Sequence, residues 1–306
     1  MTLFLIYLSF AVKSGPRLKM KGTCRGVPEM PIATVMVCLA PDQSNQARLE
    51  IAGQLAERLG AGLIGIAAAQ FAPPLYFTDG EQAQSLIDQG ETAIRRRLEE
   101  LEAQFRQATK NRASFVEWRG ALDFPARFIL REARSADIIV SGGHSPAFSD
   151  AFALASPKDL VMQTGRPLLV VPDQADWLDL RSVLVAWKDT AEARRAIADS
   201  LPLLRLAKEV TVAEIVEEGD GPAAVERRIS DVVAWLARHD IAARQRVGEA
   251  RREGGAAAAL EDIAGGVGAG LIVAGAYGHS RFRELILGGV TEHLVTQSAR
   301  CVLLSH

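Results

Sequence analysis

Short apolar runs alternate with amphipathic segments along the chain from about residue 31. The continuous apolar run at 33–40 is typical of a strand buried on both faces, and the leucine and alanine spacing over 45–59 predicts a helix that ends at Gly60. Further strands are predicted at 63–69, 114–118, 137–141 and 167–171, and further helices at about 80–109, 123–135 and 160–164. This alternation predicts a parallel, doubly wound α/β sheet with helices on both faces.

The same pattern occurs a second time after residue 180. Strands are predicted at 182–187, 210–216, 241–247 and 271–274, followed by a last strand near 300–304, with helices ending at about 206, 238 and 267. The segment ADIIVSG at 136–142 matches AGLIVAG at 269–275, and a His-Ser pair follows each of them. We therefore predict two tandem repeats, 31–172 and 181–306, each an open five-stranded parallel sheet with a Rossmann-like fold.

The first thirty residues do not follow this pattern. Residues 3–12 form an apolar run about half as long as a bilayer span. The positive charges follow the run, whereas in a secretory signal they precede it. Three interpretations remain: a true translation start at Met30, a membrane-surface or targeting segment, or a disordered tail. We leave residues 1–30 out of the predicted fold, which contains no membrane span.

Composition and charge narrow the class of protein. A chain of 306 residues with 48% hydrophobic and 24% charged residues can bury a real core in two domains. The net charge of −2 gives no electrostatic case for binding nucleic acid. Cys24, Cys38 and Cys301 are widely separated, which argues against a disulfide framework and a zinc site. Free cysteines of this kind fit a reducing compartment, so we predict a cytoplasmic protein.

Four glycines follow the apolar run at 271–274, namely Gly275, Gly278, Gly288 and Gly289. In an open parallel sheet, ligands bind beyond the carboxyl ends of the strands, and glycine lets the backbone offer its N–H groups to a phosphate. We predict that Gly275 and Gly278 form one wall of a nucleotide pocket. The second pair, with Val290, would cradle the phosphates at the start of a helix near residue 291.

The spacing of these glycines resembles the nucleotide-binding signature of the universal stress protein family, G-x-x-G-x9-G-S/T. Gly275, Gly278 and Gly288 reproduce it through the third glycine. The resemblance extends over both repeats, so the chain is similar to a tandem universal stress protein. It implies an adenine nucleotide alpha hydrolase-like fold that binds ATP or AMP, with Mg²⁺ as an accompanying ion. It also implies pairing of the two repeats within the chain, with a homodimer as a further option.

The resemblance also implies particular site residues. Asp189 matches the acidic residue after the first strand, near the ribose or phosphates, and Val216 falls by position where the family contacts adenine. His279 directly follows the second glycine and belongs to the predicted site. Gly289 departs from the pattern because it stands where the signature has Ser or Thr. The missing hydroxyl costs one hydrogen bond, about 0.5–1.5 kcal/mol, while Thr291 fills a later hydroxyl position of the family.

The first repeat departs further from the signature. Gly142 is followed by another glycine and a His-Ser-Pro segment, and no second glycine pair occurs before Pro167. Asp42 stands in the acidic position after the first strand, but the phosphate cradle is missing. We therefore predict that the second repeat alone binds nucleotide and that the first repeat is a degenerate copy that serves packing.

Two functions of different classes compete. No nucleophile, general base or carboxylate pair converges on the signature, which favours a stress-response binding protein that acts by conformation or partner binding, with a weak ATPase activity at most. The alternative is a nucleotide hydrolase or transferase of the same fold group. A nucleotide-free scaffold is the third option if Gly289 abolishes binding.

A chain that begins at Met30 should be as stable as the full chain, because the predicted repeat pattern starts only at Ile32. Thermal unfolding of the two chains tests this expectation. A midpoint lower by more than a few degrees in the shorter chain would show that residues 1–29 pack on the fold.

Overall fold

The computed structural model describes residues 32–72, 80–143, 155–216, 221–278 and 289–306. The predictions made for residues 1–30, for His279 and for Gly288 lie outside the described residues. No helix among the described residues is long and apolar enough to cross a membrane.

The described residues of the first half form five strands and four α-helices. They are β1 (Thr34–Cys38), α1 (Gln46–Leu59), β2 (Gly62–Ala69), α2 (Gly80–Ala108), β3 (Val116–Leu122), α3 (Pro125–Glu132), β4 (Ile138–Gly142), α4 (Pro157–Gln163) and β5 (Leu168–Val171). A 3-10 turn over Ala133–Ser135 extends α3.

The second half repeats this order of elements. It contains β6 (Ser182–Ala186), α5 (Ala191–Leu204), β7 (Glu209–Val216), α6 (Pro222–Ala237), β8 (Ala243–Glu249), α7 (Gly255–Gly266), β9 (Leu271–Gly275), α8 (Gly289–Thr296) and β10 (Cys301–Ser305). Within the described residues, the helix predicted from about residue 291 includes Gly289 and Val290, two of the three residues expected to cradle phosphate.

The ten strands of the described part of the chain form one sheet in the order β3-β2-β1-β4-β5-β10-β9-β6-β7-β8. Neighbouring strands are parallel except β5 and β10, which pair antiparallel with Val170 opposite Val302 and Leu168 opposite Leu304. Each half therefore has five parallel strands, and its strand order reverses between its first and fourth strands. This confirms the predicted α/β fold class with a doubly wound sheet.

The core forms two layers, one on each face of the sheet. Val35 and Val37 point to the layer that contains α1, α2, α5 and α6, while Met36 and Cys38 point to the layer that contains α3, α4, α7 and α8. Each layer runs through both halves without a break. The central strands are buried on both faces, which explains their continuous apolar sequences.

The two edge strands lie farther along the chain than the apolar pattern predicts. The prediction for β3 was 114–118 and the prediction for β8 was 241–247, whereas both strands end later. Most residues of β3 and β8 are half-buried or exposed, and β8 carries charged side chains. Edge strands need such polar residues to avoid pairing with other chains, so an apolar run does not mark their bounds.

The connection between the halves is fixed to α1 by a buried glutamine. The Gln54 amide donates a hydrogen bond to the carbonyl of Asp176 at 2.9 Å, and its carbonyl accepts one from the N–H of Leu178 at 2.8 Å. Arg58, one turn later on α1, donates to the carbonyl of Leu178 at 2.6 Å. These bonds satisfy the backbone of a segment that would otherwise have no regular partners.

Helix α5 approaches β9 so closely that only glycine fits where the two elements meet. A Cβ atom on Gly275 would lie 2.5 Å from the backbone nitrogen of Ala193 and 2.7 Å from the carbonyl carbon of Glu192. Both atoms belong to the first turn of α5, where the hydroxyl of Thr190 accepts a hydrogen bond from the N–H of Ala193 at 3.3 Å. The contact brings the start of α5 to the carboxyl end of β9.

Gly275→Ala should lower the free energy of unfolding by about 1–3 kcal/mol, because the new methyl group meets backbone atoms that cannot rotate away. Urea unfolding measures the change. Gly266→Ala is the matched control, since its Cβ would meet open space at the end of α7. The control should leave stability unchanged or raise it by up to about 1 kcal/mol. Equal stability of both variants would contradict the close approach of α5.

Candidate functional site

The carboxyl ends of β6 and β9 lie side by side where the strand order of the second half reverses, and we call the space beyond them the crevice of this half. The segment after β6 carries Asp189 and leads into α5, and the segment after β9 carries Gly278. A Cβ atom on Gly278 would lie 3.3 Å from the hydroxyl of Thr190. The structure thus brings two segments that lie far apart in the sequence into contact at the position where open α/β sheets bind ligands.

Gly278 faces a carboxylate of the first turn of α5. A side chain at this position would meet Oε2 of Glu192 at 2.7 Å. An acidic residue is favourable at a helix N-terminus because the helix dipole is positive there. The absence of a side chain at Gly278 therefore leaves room for Glu192, which adds a negative charge to this wall of the crevice.

Asp189 lies at the mouth of the crevice and is paired with a neighbour. Its Oδ1 accepts a hydrogen bond from the guanidinium of Arg194, one turn into α5. Both side chains are at least half exposed, and exposed ion pairs of this kind contribute little to stability. The Asp189 carboxylate is therefore free to exchange Arg194 for another partner at low cost.

The first turn of α8 lies against the segment that follows β9. The hydroxyl of Thr291, which is buried, accepts a hydrogen bond from the backbone N–H of Tyr277 at 3.5 Å, the outer limit for such a bond. Gly289 and Val290 precede it in the same turn, and a Cβ atom on Gly289 would meet nothing within 4 Å. This hydrogen bond joins the segment between Gly275 and Gly278 to the helix turn that contains Gly289.

Tyr277 is a residue of this site that the sequence did not reveal. Its φ of 54° lies in the left-handed region, which aromatic residues rarely adopt. Its hydroxyl is buried, and burial, together with the negative charge of Glu292, raises the pKa of Tyr277 to about 12. The segment before it is fixed to β10, because Ala276 N–H donates to the carbonyl of Ser305 at 2.8 Å. No sequence pattern marks an aromatic residue that adopts a left-handed φ, so the sequence could not have identified Tyr277.

Two further polar groups stand near the carboxyl ends of β6 and β7. Ala186, the last residue of β6, pairs with Ala213 of β7. Trp187 and Glu214 are the next residues of the two chain segments, so they lie side by side. Glu214 is buried, and its Oε1 accepts hydrogen bonds from Arg228. Among the described residues, its Oε2 and the indole N–H of Trp187 have no hydrogen-bond partner. Buried polar atoms without partners mark places where water or a ligand atom can bind.

Val216, which the sequence placed near adenine, is the last residue of β7. It is half-buried and packs against the same core layer as Trp187. Its strand lies beside β6, so Val216 is at the same edge of the sheet as the glycine segment and on the side away from α8. β6 lies between the strand of Val216 and β9, so the structure does not place Val216 beside the glycine-containing segment.

The corresponding crevice of the first half is filled by an arginine. Arg48 is the third residue of α1, the position that Ala193 occupies in α5, and its side chain is only 5% exposed. A Cβ atom on Gly142 would lie 2.4 Å from Nε of Arg48. The guanidinium donates a hydrogen bond to Oδ1 of Asn45 at 3.1 Å, and burial lowers the Arg48 pKa. The two crevices therefore differ although their backbones correspond.

No protein-family model and no curated protein matches this chain. Among solved structures, a universal stress protein from Archaeoglobus fulgidus DSM 4304 is similar over 89% of this chain and 95% of its own, with 16% identity and a TM-score of 0.63. A functionally unknown protein from Pseudomonas aeruginosa PAO1 is similar over 90% of this chain and 92% of its own, with 16% identity and a TM-score of 0.52. A universal stress protein in complex with cAMP matches 46% of this chain and 98% of its own, with 21% identity and a TM-score of 0.31.

The similarity to the Archaeoglobus protein extends over nearly the full length of both chains. The chain has the fold of the universal stress proteins, as its glycine spacing had implied.

Proposed function

We propose that this chain is a stress-response protein that binds ATP or AMP in the crevice of its second half and acts through its conformation or a partner. The observation that carries the proposal is the contact between the segment after β9 and the first turn of α8, made through Tyr277 and Thr291. It supports the proposal because Tyr277 directly precedes Gly278, and Thr291 lies in the helix turn that contains Gly289. The fold shared with a universal stress protein supports the stress-response role.

The residues of the crevice suit an adenine nucleotide in several respects. The N–H groups in the first turn of a helix have no partner within the helix, so the start of α8 at Gly289 can donate to phosphate oxygens. The Asp189 carboxylate can accept from a ribose hydroxyl. The partnerless N–H of Trp187 and Oε2 of Glu214 offer a donor and an acceptor toward the β7 side, near Val216.

One group opposes a bare phosphate. The Glu192 carboxylate beside Gly278 repels a phosphate group unless a cation lies between the carboxylate and the phosphate. Among the described residues, no group of three or more His, Cys, Asp or Glu side chains could hold a metal ion. A magnesium ion would therefore need phosphate oxygens and water as most of its ligands, which is its usual mode of binding with nucleotides.

Titration calorimetry with ATP should give one site per chain, because Arg48 occupies the crevice of the first half. Two sites of similar affinity would contradict the proposal. A time course of the bound nucleotide separates binding from catalysis. A binding protein retains ATP, whereas a hydrolase or transferase of the same fold converts it within the measurement. A chain that binds neither ATP nor AMP would favour the nucleotide-free scaffold.

Gly289→Ser should tighten ATP binding. The new side chain enters open space and restores the hydroxyl of the signature, and a hydrogen bond to a charged phosphate is worth about 1.5–3 kcal/mol at best. Gly266→Ser is the matched control, since it makes the same change in open space on α7, away from the crevice. It should leave the ATP dissociation constant unchanged. Equal affinities of the two variants would remove Gly289 from the site.

Gly288→Val should weaken ATP binding by about 2 kcal/mol or more, because a side chain there would clash with the ligand or force a strained backbone, which costs about 1–3 kcal/mol. Dissociation constants and melting temperatures are measured together. If the variant loses stability but binds ATP like the parent, Gly288 serves only as a helix entry.

A further inference from the structure

The side chain of Tyr277 extends from the nucleotide segment of the second half to the first half. The ammonium group of Lys158, in the first turn of α4, lies 5.3 Å from the centre of the Tyr277 ring. An ammonium at this distance from an aromatic ring is attracted by its negative face. The backbone N–H of Tyr277 donates to the hydroxyl of Thr291 in the first turn of α8. Tyr277 therefore contacts a helix of each half.

The halves also touch at the matching place of the first half. A Cβ atom on Gly143, just after β4, would lie 2.9 Å from the carbonyl oxygen of Val295 near the end of α8. The contact follows from the antiparallel pairing of β5 with β10. That pairing sets α4 beside the segment after β9, and α8 beside the segment after β4. Contact between the halves at the site segments is thus a property of the fold.

A strained backbone persists only where its surroundings hold it. The left-handed Tyr277 stands directly before Gly278, so its conformation sets the direction of the backbone that the proposed nucleotide contacts. Three neighbours fix this segment: Thr291 from α8, the carbonyl of Ser305 from β10, and Lys158 from the first half. Of these, Lys158 is the contact that the second half cannot supply itself.

We propose that Lys158 is a positioning residue for the nucleotide site of the other half, acting through the ring of Tyr277. The inference rests on the proposed function for its effect on ATP affinity. It gives the first half, whose own crevice is filled by Arg48, a role in the binding site of the second. It also joins occupancy of that site to the contact between the halves.

The test is a double-mutant cycle read out by ATP titration calorimetry. Lys158→Ala should weaken ATP binding about two- to fivefold, the range expected for an exposed cation–π contact. Tyr277→Phe keeps the ring and should bind like the parent, whereas Tyr277→Leu removes the ring and should bind more weakly. In the Tyr277→Leu background, Lys158→Ala should have no further effect, because the pair acts as a unit. Lys110→Ala, an exposed lysine at the end of α2, controls for the loss of one positive charge.

Two outcomes would overturn the inference. If Lys158→Ala binds ATP like the parent, Lys158 does not position the site. If Lys158→Ala weakens ATP binding equally in the parent and in the Tyr277→Leu background, Lys158 acts on the phosphates directly. A merely structural role would lower the melting temperature without changing the dissociation constant, so both are measured.

Amide hydrogen exchange of residues 276–278 in the ligand-free protein tests the positioning without relying on nucleotide binding. Lys158→Ala should raise the exchange rate of this segment severalfold, and Lys110→Ala should not. A parent chain that binds no nucleotide but shows this difference would refute the proposed function and leave the positioning role intact. Unchanged exchange in Lys158→Ala would refute the positioning role whatever the nucleotide result.

Discussion

The rest of the structure depends on the antiparallel pairing of β5 with β10. These are the fifth strands of the two halves, and each would be an exposed edge if its half stood alone. Unpaired edges of apolar strands invite association with other chains. By pairing Leu168, Leu169 and Val170 with the matching residues of β10, the chain covers both edges and makes one sheet with two continuous core layers.

This pairing also determines how the halves can influence each other. It sets α4 and α8 on one face of the sheet, next to the segments that follow β4 and β9. Each of these segments is then supported by residues of both halves, as the Tyr277–Lys158 and Gly143–Val295 contacts show. Under the proposed function, a first half without a nucleotide site would still support the site of the second half.

The crevices of the two halves share a backbone arrangement but differ in the side chain at the third residue of the first helix. Helices α1 and α5 both approach the glycine at the end of the neighbouring strand, Gly142 or Gly275. In the second half the approach is made by the backbone at Ala193, which leaves the rest of the crevice to Asp189 and the glycine segments. In the first half the Arg48 guanidinium fills the space and bonds to the preceding loop. A buried cation is costly unless it is hydrogen-bonded, so Arg48 is held in place.

Much of the fold could be predicted because it follows from local patterns. Apolar runs such as 33–40 and the spaced leucines of α1 are sufficient to identify buried strands and helices, and the repeated segments at 136–142 and 269–275 reveal the duplication. The glycine spacing predicted a site at Gly275 and Gly278, and the structure places both residues against the first turn of α5 and the residue before it. Tertiary structure alone decided the antiparallel join of the halves, the filling of one crevice by Arg48 and the left-handed Tyr277 beneath Lys158. Each of these depends on atoms that lie far apart in the sequence and meet only after the sheet has formed, so no local pattern encodes them.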